Sequence, residues 1–201
     1  MARFVVGVDE AGRGPLAGPV AVGIVVAPSS CNLRKMFPGV ADSKVLSEKK
    51  REEIFALLQK KSGMHKTLRT AGVVRYIVVF ASAHMIDAKG ITAAVHRCIY
   101  KGIRKLVPNP AAHKILLDGL LHAPPEYAQQ TIIRGDATDP IISLASIAAK
   151  VTRDRLMKRL AKKYPKYGFE KHKGYGTALH RAHIRKFGVC TVHRKTYCRF
   201  L

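Results

Sequence analysis

Four acidic residues of this chain sit where apolar runs stop. Asp9 and Glu10 end the run over residues 4–8. Asp118 follows Ile115-Leu116-Leu117, and Asp136 comes just past residues 131–134, in Arg134-Gly135-Asp136. Acids are scarce, 13 Asp and Glu among 201 residues, so their placement carries information. If these runs are neighbouring strands, their carboxylates converge on one edge of a sheet. Three or four carboxylates held together repel one another unless a cation fills the cluster. Hard oxygen ligands favour Mg²⁺ or Mn²⁺. Two such ions can activate a water and hold the leaving oxygen of a phosphodiester. Taken singly, each acid also has an ordinary reading: Asp9 or Glu10 as a turn residue, and Asp118-Gly119 as a common turn pair. Asp136 could cap a helix, but Asp139-Pro140 already supplies a cap with proline at the first helical position.

Directly after the acidic pair comes Ala11-Gly12-Arg13-Gly14-Pro15-Leu16-Ala17-Gly18-Pro19. As a dinucleotide-binding fingerprint this is poor, because the glycine spacing is wrong and the prolines oppose a helix start. As a loop it is informative. Gly12 and Gly14 allow the backbone to approach a ligand closely, and Arg13 adds charge. The whole chain is strongly basic, with 36 Lys and Arg and a net charge of +23. Such an excess points to a polyanionic partner, nucleic acid first. Charge alone does not separate an enzyme from a passive RNA- or DNA-binding protein.

The elements that must position these groups follow from periodicity. Residues 4–8 and 20–27 are short apolar runs and read as buried strands. Ser47 precedes Glu48, Glu52 and Glu53, with Ile54, Leu57 and Leu58 on one face, which predicts a capped helix. Residues 73–80 form a third strand. Residues 91–107 show helical spacing and end before Pro108 and Pro110. Residues 114–118 and 131–134 are short strands, 140–163 a long helix, and 177–187 a last helix stopped by Gly188. Consecutive strands with no helix between them imply a partly antiparallel, mixed sheet in an α/β chain. We read residues 1–163 as the main domain and 164–201, rich in Lys, His, Tyr and Gly, as a basic appendage.

The run Val8-Asp9-Glu10-Ala11-Gly12-Arg13-Gly14-Pro15-Leu16-Ala17-Gly18-Pro19-Val20 closely resembles the opening motif of the ribonuclease HII family. Further resemblances follow in order: Asp42-Ser43-Lys44, Leu117-Asp118-Gly119, Gly135-Asp136, Ala145-Ser146-Ile147, Ala149-Lys150-Val151-Thr152-Arg153-Asp154, His172-Lys173-Gly174-Tyr175-Gly176-Thr177 with His180, and His193-Arg194. Thr138-Asp139-Pro140 lacks the basic and serine residues that many members carry there. The resemblance implies a ribonuclease H-like fold with a five-stranded mixed sheet. It implies that Asp9, Glu10, Asp118 and Asp136 bind Mg²⁺ or Mn²⁺ and catalyse. It implies that the backbone of Gly12, Arg13 and Gly14 contacts the 2′-hydroxyl at the cut site, the group that separates RNA from DNA. Tyr175 is implied to stack on the neighbouring sugar. Lys44, His172 and Lys173 are our candidates for phosphate contacts.

The expected activity is therefore cleavage of RNA in RNA–DNA hybrids and at single ribonucleotides in duplex DNA, leaving 5′-phosphate and 3′-hydroxyl ends. The alternatives are a non-catalytic basic RNA/DNA-binding protein and a nucleotide-binding enzyme built on the glycine loop. The second is disfavoured because the adjacent acids would repel a pyrophosphate and no P-loop lysine follows. Met1-Ala2-Arg3-Phe4 has no signal-peptide layout, and no apolar run is long enough for a membrane span. We expect a cytoplasmic monomer without membrane contact. Cys31, Cys98, Cys190 and Cys198 contain no Cys-x-x-Cys pair, and Cys190 and Cys198 with His183 and His193 match no common zinc spacing, so reduced thiols are expected.

Overall fold

The computed structural model describes residues 3–62 and 74–200. Five strands form one sheet: β1 (Phe4–Ala11), β2 (Val20–Pro28), β3 (Arg75–Ala81), β4 (His113–Asp118) and β5 (Ala128–Ile132). Their order is β3-β2-β1-β4-β5. The β1–β2 and β2–β3 pairs are antiparallel, while β1–β4 and β4–β5 are parallel. The expected mixed five-stranded sheet is thus what forms. Among the described residues eight α-helices accompany it: α1 (Leu33–Met36), α2 (Glu48–Lys61), α3 (Ala83–Lys89), α4 (Ile91–Leu106), α5 (Gly135–Thr138), α6 (Pro140–Lys163), α7 (Phe169–His172) and α8 (Ala178–Phe187).

Strand alternation divides the core between the two sheet faces. Val6, Val8, Val22 and Ile24 pack with Val95, Ile99 and Ile103 of α4 and Ile86 of α3. On the other face Val25, Ala27 and Leu116 pack with α2 through Ile54, Phe55 and Leu58, and with α6 through Ile141, Leu144, Ala145 and Ala148. The first half of α6 is buried all round, residues 141–149 without a break. It lies almost against the strands because β1 and β2 present glycines to it. A Cβ on Gly7 would stand 2.3 Å from the Ile141 carbonyl oxygen, and one on Gly23 2.1 Å from that of Ala145. This close approach carries Ser143 and Ser146 of α6 to the sheet edge.

Several expected elements are shifted. β1 runs on to Ala11, so Asp9 and Glu10 lie inside the strand, still paired with Gly23 and Val22 of β2. The last strand spans Ala128–Ile132, earlier than the expected 131–134, and Arg134 is left-handed at φ 55°. It is an edge strand whose residues are almost all exposed, so hydrophobic patterning could not place it. The third strand spans Arg75–Ala81 within the described residues, and Val73, its expected start, lies outside them. The one-turn helices α1, α5 and α7, and the seven-residue α3, were not anticipated, being too short for a 3.6-residue period.

The segment after α6 folds back onto residues 16–18. Leu16 N donates to Gly174 O at 2.8 Å, Gly18 N to Val192 O at 2.8 Å, and Arg194 N to Leu16 O at 2.8 Å. Tyr167 and Phe169 pack with Ala17, Met157 and Ala161 in a small separate cluster. All four cysteines are free. Among the described residues no helix is long and apolar enough to cross a membrane.

Candidate active site

Residue parity in the strands decides which acids meet. β1 and β4 pair in parallel as far as Val8 and Leu117, so Asp9 and Asp118 lie side by side just beyond that ladder. Both point to the α6 face. Asp136 joins them from α5, where the left-handed Arg134 turns the chain after β5. Carboxylate oxygens of Asp9, Asp118 and Asp136 all lie within 4.8 Å of one another, and this is the only such group among the described residues. Glu10, one residue on from Asp9, faces the opposite side of the sheet. There it lines a second recess with Thr92, Val95 and His96, and it pairs with Arg13 at 3.4 Å. Three of the four expected acids therefore share one face, and Glu10 reaches the same strand edge from the other.

The supports come from α6 and the loop before α2. The Asp136 amide donates to Asp118 Oδ1 at 3.4 Å, and Ser143 Oγ donates to the Asp136 carbonyl at 2.6 Å. Asp139 caps α6, its carboxylate accepting from Ile141 N at 3.0 Å, which leaves Asp136 free of capping duty as expected. Ser146 hydrogen-bonds Ser43 at 2.7 Å. Asp9 and Asp136 are only 4% and 2% exposed. Burial, then the charge of Glu10, pushes the Asp9 carboxyl well above the usual range. Burial raises Glu10 despite Arg13, and burial followed by the Asp136 charge raises Asp118. Lys44 Nζ donates to Asp136 Oδ2 at 2.7 Å, and that hydrogen bond holds the ammonium above its ordinary pKa. The residues fit a hard divalent cation: an all-oxygen donor set, mutually repelling and partly desolvated, in which a lysine neutralises one member.

Asp9, Glu10 and Asp118 line a cleft of about 450 Å³ together with Gly12, Arg13, Gly14, Lys44, Arg51, Lys150 and Tyr175. Tyr175 is 41% exposed, with Lys150 Nζ 5.8 Å and Arg153 Cζ 5.7 Å from its ring centroid. Its ring is thus backed by cations and open on the cleft side. The expectation for His172 is corrected. The ring is buried, with Nε2 on the Tyr167 carbonyl at 2.8 Å and Nδ1 accepting from Gly174 N at 3.2 Å, so no nitrogen remains for a phosphate. Lys173 lies outside the cleft lining, its ammonium on the Glu170 carbonyl at 2.6 Å. Arg51 was not singled out, and Lys150, Arg153 and Arg194 entered only as matching residues without a role. Nothing in their spacing marked them, since their places depend on how α2, α6 and the last segment pack.

Comparison with known proteins agrees with this geometry. The family model for ribonuclease HII matches residues 6–200. A ribonuclease HII of Geobacillus sp. strain WCH70 is 40% identical over 195 residues, covering 97% of this chain and 64% of that protein. The ribonuclease HII of Prochlorococcus marinus is 41% identical over 192 residues, covering 95% of this chain and 94% of that one. The crystal structure of ribonuclease H2 from Pyrococcus horikoshii superposes with a TM-score of 0.73 at 26% identity, over 98% of this chain and 96% of that chain. With the mixed sheet, the acid cluster and the glycine loop in their places, the chain belongs to the ribonuclease HII family of nucleases.

Proposed function

We propose that this protein is a metal-dependent endoribonuclease that cuts RNA in RNA–DNA hybrids and at single ribonucleotides embedded in duplex DNA, leaving 5′-phosphate and 3′-hydroxyl ends. The observation that carries this reading is the meeting of Asp9, Asp118 and Asp136 within 4.8 Å, with Asp9 and Asp118 lining a cleft shared with Glu10, the glycine loop and Tyr175, on a chain of net charge +23. Asp9, Asp118 and Asp136 would hold Mg²⁺ or Mn²⁺, with Glu10 completing the set from the opposite face. When bound, two such ions supply Lewis-acid activation of water and neutralisation of charge at the scissile phosphate.

The chain's own residues do the rest. Gly12, Arg13 and Gly14 bring backbone to the sugar at the cut site, where only an RNA unit offers a 2′-hydroxyl. Tyr175 offers a face for stacking on the neighbouring sugar. Lys44, Arg51 and Lys150 place positive charge along the cleft for phosphates, and Lys173 does so farther out. Residues 164–201 act as the substrate-binding segment. The reading includes a monomeric, cytoplasmic enzyme.

The test is cleavage of a DNA duplex carrying one ribonucleotide, with Mg²⁺, Mn²⁺ or EDTA. A metal-dependent cut on the 5′ side of the ribonucleotide is expected. Cutting of long hybrids alone would discard the idea that Tyr175, stacked on the sugar beside the ribonucleotide, helps sense an RNA–DNA junction. Tight binding with no cutting of either substrate would make the protein a passive binder.

A further inference from the structure

Beneath the glycine loop lie two buried arginines, and neither pairs with an acid among the described residues. Arg153 and Arg194 are each 0% exposed. Arg194 directs Nε to the Gly18 carbonyl at 3.0 Å, Nη1 to that of Arg13 at 2.6 Å and Nη2 to that of Gly12 at 2.6 Å. Arg153 directs Nε to the Pro19 carbonyl at 2.9 Å and Nη2 to that of Ala17 at 3.3 Å, while its Nη1 is buried without a hydrogen-bond partner. A desolvated guanidinium is costly unless its donors are met. Here carbonyl dipoles of residues 12–19 meet every nitrogen of Arg194, and Nε and Nη2 of Arg153.

Peptide planarity carries this arrangement to the surface. There is no cis peptide bond among the described residues, and in a trans peptide the N–H points opposite to the C=O. The Gly12 and Arg13 carbonyls turn inward onto Arg194, so the N–H groups of Arg13 and Gly14 turn outward. Arg13 and Gly14 are exposed and line the acid-bearing cleft. Neither amide has an acceptor within the described residues. The two glycines differ in the same sense. A Cβ on Gly12 would fall 2.0 Å from Arg153 Nε, whereas one on Gly14 would meet nothing within 4 Å. Gly12 is demanded by Arg153 below it and by its positive φ, and Gly14 leaves open space above.

We propose that Arg194 is a positioning residue that aims the Arg13 and Gly14 amides at the 2′-oxygen of the cut site, and so sets the preference for a ribonucleotide without touching substrate. This rests on the nuclease reading above. A lysine cannot take its place, since an ammonium lacks the planar fork that holds adjacent carbonyls at once.

The test compares wild type with Arg194→Lys on duplex DNA carrying one ribonucleotide, in Mg²⁺. We expect kcat to fall roughly 100-fold with KM near the wild-type value, as for a small misplacement of groups around the reacting atoms. A ¹⁵N amide spectrum with metal withheld supplies a second readout. In wild type the Arg13 and Gly14 resonances should move when the ribonucleotide duplex replaces its all-DNA counterpart, and in Arg194→Lys that difference should vanish. Unchanged kcat, a loss that only tracks the unfolded fraction in a thermal melt, or a rise in KM alone would overturn the proposal. If the variant does not fold, the wild-type spectra decide, and resonances indifferent to the ribonucleotide overturn it. Wild type that cuts no duplex overturns the nuclease reading and this inference with it, whereas wild type that cuts beside an equally active variant overturns the inference alone.

Discussion

The two walls of the cleft concentrate charge of opposite sign and settle it differently. On the sheet-edge wall, Asp9, Asp118 and Asp136 face one another with one lysine among them. On the loop wall, Arg153 and Arg194 are fully enclosed and held by backbone carbonyls. Burial, then the Arg153 charge, lowers Arg194 only to about 10, so it stays protonated at neutral pH. Behind Tyr175 the histidines are likewise locked. His180 Nδ1 donates to the Tyr175 carbonyl at 2.9 Å, so its Nε2 accepts from His193 Nε2 at 3.1 Å, and His193 Nδ1 accepts from Cys190 N at 2.9 Å. Both rings are neutral in that chain, and burial draws each pKa to about 4. Charge that must meet a ligand is left exchangeable, and groups that hold shape are tied to the backbone.

The contrast breaks most visibly on the acid wall. Asp118→Asn should slow cutting roughly 1000-fold, about 4 kcal/mol of barrier, while duplex binding persists in a gel-shift assay. Full activity in that variant would sink the assignment. The same change relieves repulsion. Asp9, Glu10 and Asp118 all have raised folded-state pKa values, so stability present below the ordinary carboxylate range is lost as pH rises from that range up through the raised folded values. Metal-free Asp118→Asn should therefore melt no lower than wild type at pH 7, and Mg²⁺ should raise the melting temperature of wild type more than that of the variant.

The histidine region should respond to pH in the opposite direction. With folded-state values near 4 against 6.5 unfolded, its stability is complete above pH 6.5 and is lost as pH falls toward 4. The loss should be on the order of 3 kcal/mol for each of the two histidines, read from urea unfolding in EDTA at pH 7, 5.5 and 4.5. His193→Gln should flatten that slope, and an unchanged slope would remove the histidines from the account. Gly12→Ala should cost about 1–3 kcal/mol, because φ is +92° and Arg153 fills the Cβ position. Gly14→Ala should keep the wild-type melt and lose cutting instead. Smallest is Asp139→Ala, about 1 kcal/mol from a lost cap, with no direct effect on the acids.

Long helices with clear start and stop signals were legible in the sequence. The helix over 140–163 and its Asp139-Pro140 start match α6, and 91–107 matches α4 with Val107 as its cap. Short or exposed elements were not. In β5 there is no apolar alternation to read, and α5, four residues long, follows a left-handed arginine that no propensity would place there. Placing Asp9 and Glu10 at a strand end hid their parity. Inside β1, adjacent residues face opposite sides, so Asp9 and Glu10 approach the cleft from different faces.

By itself, the chain's pattern of apolar runs, scarce acids and adjacent glycines determined the α/β class and the mixed sheet, and it singled out four candidate acids and the glycine loop, because these depend on local spacing. Only the tertiary structure decided which three acids meet, that His172 is enclosed, and that Arg153 and Arg194 lie beneath a loop more than 130 residues earlier in the chain. Long-range contacts of this kind arise from the packing of α6 and the final segment on the sheet, and a buried arginine looks the same in sequence as a solvated one.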